Sequence, residues 1–122
     1  MEKNIQKHSS IVCGKNFQYE YNIVLYENVR IGNNVFLGNN VVIHPDTIIG
    51  DNVIVFDNAV LGRAPKLGPA SLSSVDSLLS PLVLGSNVTI GTSAIVYRGT
   101  KIGDCSYIAD MVHIREGCQI GS

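Results

Sequence analysis

The 122-residue sequence has no tryptophan, only four prolines, three cysteines, and 16% charged residues. Cys13, Cys105 and Cys118 are odd in number and show no C-x-x-C spacing. That argues against a disulfide framework or a zinc ribbon, and for reduced thiols in a cytoplasmic protein. No apolar run reaches the length of a membrane helix, and the opening "MEKNIQKHSSIVCG" has no apolar stretch of the signal-peptide kind. A membrane span is therefore not expected. The net charge of −1 supplies no basic face, which excludes nucleic acid as a partner. What the chain has instead is apolar residues, 45% of the total, too many for a disordered segment and enough for one small domain.

Those apolar residues keep a beat of six. In "VRIGNNVFLGNNVVIHPDTIIGDNVIVF" (29–56) an aliphatic residue is followed by Gly, then Asn or Asp, then an aliphatic again. Stepping by six from Cys13 meets only apolar residues as far as Leu61, and the register resumes from Leu84 to Ile120. Four places after each of these lies another apolar or small residue, such as Val29, Val35, Val41 and Val53. Nine of the twelve glycines fall one place after the stepped residue, and Asn or Asp recurs three places after it, from Asn16 to Asn58 and again at Asn87. Gly, Asn and Asp tolerate the positive φ that a tight turn demands. Each hexad thus reads as a short strand pointing in, out, in, followed by a turn. Three such strands close an eighteen-residue coil, and coils bury their aliphatics only against their neighbours. Sixteen strands predict a little over five coils.

This pattern resembles the hexapeptide-repeat acyltransferase superfamily, which implies an all-β fold, a left-handed parallel β-helix with three strands per coil. The hand comes from the resemblance, since crossover connections ordinarily favour the right hand. The expected layout is a lead-in over 1–10, coils over 11–61, one long protruding loop over 62–81, and coils again over 82–122. The loop holds three of the four prolines and breaks the six-residue spacing. A loop this long in a small domain is more often functional than not. The chain ends on "CQIGS", part-way into a hexad, and in relatives the coils continue into those that carry the acyl-CoA site. The expectation is a truncated form or fragment of a longer acyltransferase.

If the loop replaces one corner, the outward residues sort into three columns. One reads Gln18, Phe36, Ile54, Thr89, Tyr107, and another Val12, Arg30, Ile48, Val83, Lys101, Gln119. The third reads Val24, Val42, Val60, Ile95, His113, apolar until it ends in a histidine. An apolar strip of this length marks a partner surface, or a face that the loop covers. Members of the superfamily are typically homotrimers with active sites between subunits, so the third column is the expected trimer contact.

The stretch "ADMVHIREGCQIGS" (109–122) is similar to a segment of acetyltransferases from surface-polysaccharide biosynthesis. That likeness implies acetyl-CoA, or another acyl-CoA, as donor and a nucleotide-linked amino sugar as acceptor, with no metal. Transfer needs a base for the acceptor's proton, and His113 is the candidate, with an interface histidine as the competing reading. His44 takes a glycine position in "VIHPD", where it is structural or a ligand contact, and His8 lies ahead of the coils. Arg63 and Lys66 at the loop base are candidates for a diphosphate, and Arg115 for an anionic acceptor. A γ-type carbonic anhydrase would need a metal-binding H-x-x-x-x-H pair, which is missing. The remaining alternative is a non-catalytic β-helix serving as an assembly module.

Overall fold

The computed structural model describes residues 3–65 and 79–121. Among these residues every regular element is a strand, and no helix is long and apolar enough to cross a membrane. The strands form three parallel sheets. Sheet I runs Ile5–Lys7, Ile23–Leu25, Val42–Ile43, Val60–Arg63, Ile95–Tyr97, His113–Ile114. Sheet II runs Val12–Cys13, Arg30–Ile31, Ile48–Ile49, Val83–Leu84, Lys101–Ile102, Gln119–Ile120. Sheet III runs Gln18–Tyr19, Phe36–Leu37, Ile54–Val55, Thr89–Ile90, Tyr107–Ile108. Successive strands go to successive sheets, so the chain winds through all three faces in each coil. The result is the left-handed parallel β-helix that the hexads predict.

The register matches the three outward columns. Val24 pairs with Val42, Val42 with Val60, Val60 with Ile95, and Ile95 with His113. Val83 stacks on Ile48, so the chain re-enters sheet II where the removal of one corner requires. Residues 66–78 of the expected loop lie outside the described residues. At the other end the helix starts earlier than the repeat suggests. Ile5 pairs with Ile23 and Lys7 with Leu25, so the supposed lead-in contributes a strand. A lysine at an inward position hid it, and Lys7 is tolerated there because it is exposed at the end of the stack.

The interior is a stack of aliphatics, with Leu25, Ile43, Leu61, Val96 and their counterparts on the other sheets almost fully buried. Burying each such side chain is worth about 1.5–3 kcal/mol, and three per coil, repeated, hold the solenoid together. Thr47, Thr100 and Ser106 are buried too, and their hydroxyls donate to corner carbonyls: His44 O at 2.9 Å, Arg115 O at 2.9 Å, Gly103 O at 2.8 Å.

At the corners the third turn residue is left-handed throughout, with φ near 60° at Asn16, Asn34, Asn52 and their equivalents. The asparagine amides form ladders between coils: Asn16 Nδ2 donates to Asn34 Oδ1 at 3.0 Å, and Asn34 Nδ2 to Asn52 Oδ1 at 3.2 Å. The first turn residue differs by corner. After sheet II it is always glycine, from Gly14 to Gly121. A Cβ on Gly32 would meet the backbone of Gly50 at 2.7 Å, so nothing larger fits there. After sheet I it is His8, Tyr26, His44, Gly62, Tyr97 and Arg115. That corner is the candidate site.

Candidate functional site

Parallel strands lie about 4.8 Å apart, close to the separation of stacked rings. Planar side chains at the same corner position of successive coils are therefore brought face to face by the fold itself. Tyr26 and His44 do this, with centroids 5.0 Å apart and planes 8° from parallel. Two coils on, the Arg115 guanidinium lies 4.5 Å over the Tyr97 ring, a cation–π contact. Between these pairs the backbone bulges. Leu61 pairs with Val96 but Arg63 with Tyr97, so Gly62 is the extra residue, with φ of +79°. The bulge puts Arg63 in line with Tyr97. Read along the helix, the corner presents Tyr26, His44, Arg63, Tyr97 and Arg115, aromatic and basic residues in close sequence.

Arg98 braces the inner side of this column. Its backbone N–H donates to Arg63 O at 3.0 Å, and its Nη2 lies 3.5 Å from Asp46 Oδ2. Asp46 also accepts from Asn28 Nδ2 at 3.2 Å. The Nε of Arg98 is buried with no hydrogen-bond acceptor among the described residues. Arg63 is exposed and has no carboxylate partner among the described residues. Burial, and then the charge of Arg63, push the pKa of His44 below its ordinary value. Arg115 is tied to Glu116, Nε to Oε1 at 3.0 Å.

Of the residues singled out in the sequence, His44, Arg63 and Arg115 share this corner. Lys66 lies outside the described residues. His113 sits on the outer face of sheet I, exposed, two residues before Arg115 and three strands from the His44 coil, a separation of roughly 14 Å. Tyr26, Asp46, Tyr97 and Arg98 were not anticipated. Their signal was available: sorting the turn positions by corner shows that every third hexad replaces the expected glycine. Among the described residues no three His, Cys, Asp or Glu side chains converge as a metal site requires.

Comparison with known proteins agrees with this architecture. Residues 28–63 match the family of bacterial transferase hexapeptides (six repeats), and residues 81–109 match the hexapeptide repeat of succinyl-transferase. The fold superimposes on the UDP-N-acetylglucosamine acyltransferase of Francisella novicida with a TM-score of 0.70 and 27% identity, covering 96% of this chain and 46% of that one. A hexapeptide-repeat acetyltransferase from Vibrio cholerae follows at TM-score 0.62 and 23% identity, over 90% of this chain and 61% of that one. The UDP-N-acetylglucosamine acyltransferase of Campylobacter jejuni gives 0.59 and 18%, over 97% and 61%. The chain thus spans about half to three-fifths of the length of these relatives. No curated protein matches the sequence. The six-residue period, the three-sheet coil and both family matches agree, and the chain belongs to the hexapeptide-repeat superfamily of β-helical transferases.

Proposed function

We propose that this chain is the β-helical part of a cytoplasmic acyltransferase, assembled as a homotrimer, that moves an acyl group from CoA to a nucleotide-linked sugar. The observation that carries the reading is the sheet I corner. In a fold that otherwise repeats Gly and Asn at its turns, one corner collects two tyrosines, a histidine and three arginines beside the inserted loop. Basic and planar groups suit an anionic, aromatic acceptor such as a sugar nucleotide. The likeness to an acyltransferase of UDP-N-acetylglucosamine supports the same class.

In the proposed reaction the acceptor's amine or hydroxyl attacks the thioester carbonyl. A new N–C or O–C bond forms, the C–S bond breaks, and CoA leaves as the thiolate. His113 takes the proton of the attacking group and returns it to the sulfur, while backbone N–H groups of the rigid coil stabilise the oxyanion. His113 suits that role because it is exposed at the end of the Val24–Ile95 column, where a partner subunit would meet it. Isothermal titration with acetyl-CoA is the first test, since the donor is common to all acceptors of the class. In a chain that binds it, His113→Ala should lower turnover roughly 10²–10⁴-fold with little change in KM. A loss below tenfold removes His113 from the mechanism. Absence of both donor and sugar-nucleotide binding points to an assembly module instead.

A further inference from the structure

Two features of the sheet I corner are not explained by its role as a turn. The first is cationic. Arg98 has a buried Nε without an acceptor, Arg63 has no carboxylate, and the two residues are joined through their backbones. Arginines left in this state are suited to oxygen acceptors that arrive from outside, and a guanidinium pair fits the geometry of phosphate oxygens. The second is aromatic. One face of Tyr26 is covered by His44, yet the residue remains 41% exposed. Beside it opens a depression of about 260 Å³ lined by Lys7, His8, Tyr26 and Glu27.

We infer that this corner is a subsite for a nucleoside diphosphate, with the base stacked on Tyr26 and the phosphates held by Arg63 and Arg98. Tyr26 and Arg63 are two coil steps apart, about 10 Å, which is comparable to the extended length of such a ligand. Base stacking on an aromatic side chain supplies affinity without reading the base, and the arginines supply the anion contact. The Tyr26–His44 stack is preorganised by the strand spacing, so the ring needs no ordering on binding. The inference rests on the acyltransferase reading only for the source of the ligand. A pyrimidine diphosphate would come from the acceptor sugar nucleotide, and an adenosine diphosphate from CoA itself. The shared chemistry is the same.

The test is calorimetric titration of the whole chain with UDP, thymidine diphosphate, ADP, uridine and pyrophosphate. Nucleoside diphosphates should bind at least tenfold more tightly than uridine or pyrophosphate. Tyr26→Ala should weaken the nucleoside diphosphates tenfold or more and leave pyrophosphate unchanged, while Arg63→Ala should weaken both. Arg98→Lys, which keeps the charge and loses the fork, should weaken both by a smaller factor. Far-UV circular dichroism and the urea midpoint confirm that each variant folds. Equal binding of all nucleoside diphosphates by wild type and Tyr26→Ala overturns the inference, as does Arg63→Ala binding like wild type. Failure of every nucleoside diphosphate to bind overturns it too. Preference for UDP or thymidine diphosphate assigns the subsite to the acceptor, and preference for ADP assigns it to the donor. A chain that shows these effects but transfers no acyl group keeps the subsite and loses the enzymatic reading. One that transfers acyl groups with Tyr26→Ala unimpaired does the reverse.

Discussion

Substituting Gly62 by alanine should destabilise the protein through a contact that the structure locates atom by atom. Gly62 is buried and holds φ at +79°, a region in which an L-residue costs about 1–2 kcal/mol. An added Cβ would overlap Thr47 Oγ1 and stand 3.4 Å from Thr47 Cβ. Thr47 is fully buried and donates to His44 O at 2.9 Å. It cannot turn away without leaving a buried hydroxyl and a carbonyl unpaired. Relief must come from the backbone, and overpacking of this kind costs about 1–3 kcal/mol. Gly62→Ala should therefore lose about 2–5 kcal/mol, the sum of these two ranges. Thr47→Ala alone should lose about 1 kcal/mol for its hydrogen bond. The double variant removes the overlap and keeps the strain, so it should be more stable than the two single losses added together predict. Urea unfolding at fixed protein concentration, followed by far-UV circular dichroism, measures all three. Tyrosine emission serves as a second probe in a chain without tryptophan. A Gly62→Ala variant within 0.5 kcal/mol of wild type on the usual surface-substitution scale, or strict additivity in the double variant, would refute the reasoning.

Met111 occupies the left-handed turn position, with φ of 62°, and is 75% exposed. Met111→Asn should raise stability by about 0.5–1 kcal/mol because asparagine enters that region more readily, and an unchanged urea midpoint would count against the turn analysis. Val42→Glu combined with Val60→Glu places two charges on the half-buried column of sheet I and should give a folded monomer or an insoluble chain in sedimentation. A trimer that survives both moves the contact to another sheet.

The fold was legible because one physical requirement recurs at every corner. A three-sided coil turns every six residues, and each turn needs one residue with positive φ and one without bulk. Asn at 16, 34 and 52 and Gly at 14, 32 and 50 satisfy these needs so regularly that strand, register and column could be read directly. The first strand escaped because Lys7 breaks the apolar beat at the end of the stack, where nothing covers an inward position. Half of the candidate site was legible for a related reason. His44, Arg63 and Arg115 stood out as charged or titratable residues in turn positions, whereas Tyr26 and Tyr97 passed as ordinary apolar content. Arg98 and Asp46 meet across 52 residues of sequence, and only the bulge at Gly62 brings that arginine against the Arg63 backbone. A local irregularity of this kind has no period, so a period could not reveal it.

The neighbours of His44 connect stability, pH and ligand binding. The groups around it are Tyr26 stacked on its ring, Arg63 in the next coil, and Asp46 with its partner Arg98 on the same corner. Its pKa lies below the ordinary 6.5, chiefly through burial and secondly through Arg63. The folded state therefore holds this imidazole neutral where the unfolded chain would already have taken up a proton. Below about pH 6.5 the unfolded state binds more protons, so stability rises with pH across that window. The contribution is complete above the unfolded value and is lost as pH falls through the folded one. His44→Asn should flatten the dependence of the urea midpoint between pH 7 and 5, values chosen to bracket the ordinary imidazole range. An unchanged slope would mean that another group carries it. A phosphate anion at Arg63 reverses the second cause, because it neutralises the charge that disfavours imidazolium. Binding of a nucleoside diphosphate should then take up protons near pH 6, in the range where imidazole titrates, and tighten as pH falls. Calorimetry in buffers of different ionisation enthalpy reads that uptake directly. Uptake that persists unchanged in His44→Asn would come from the phosphate's own titration, and its disappearance would place the bound anion beside His44.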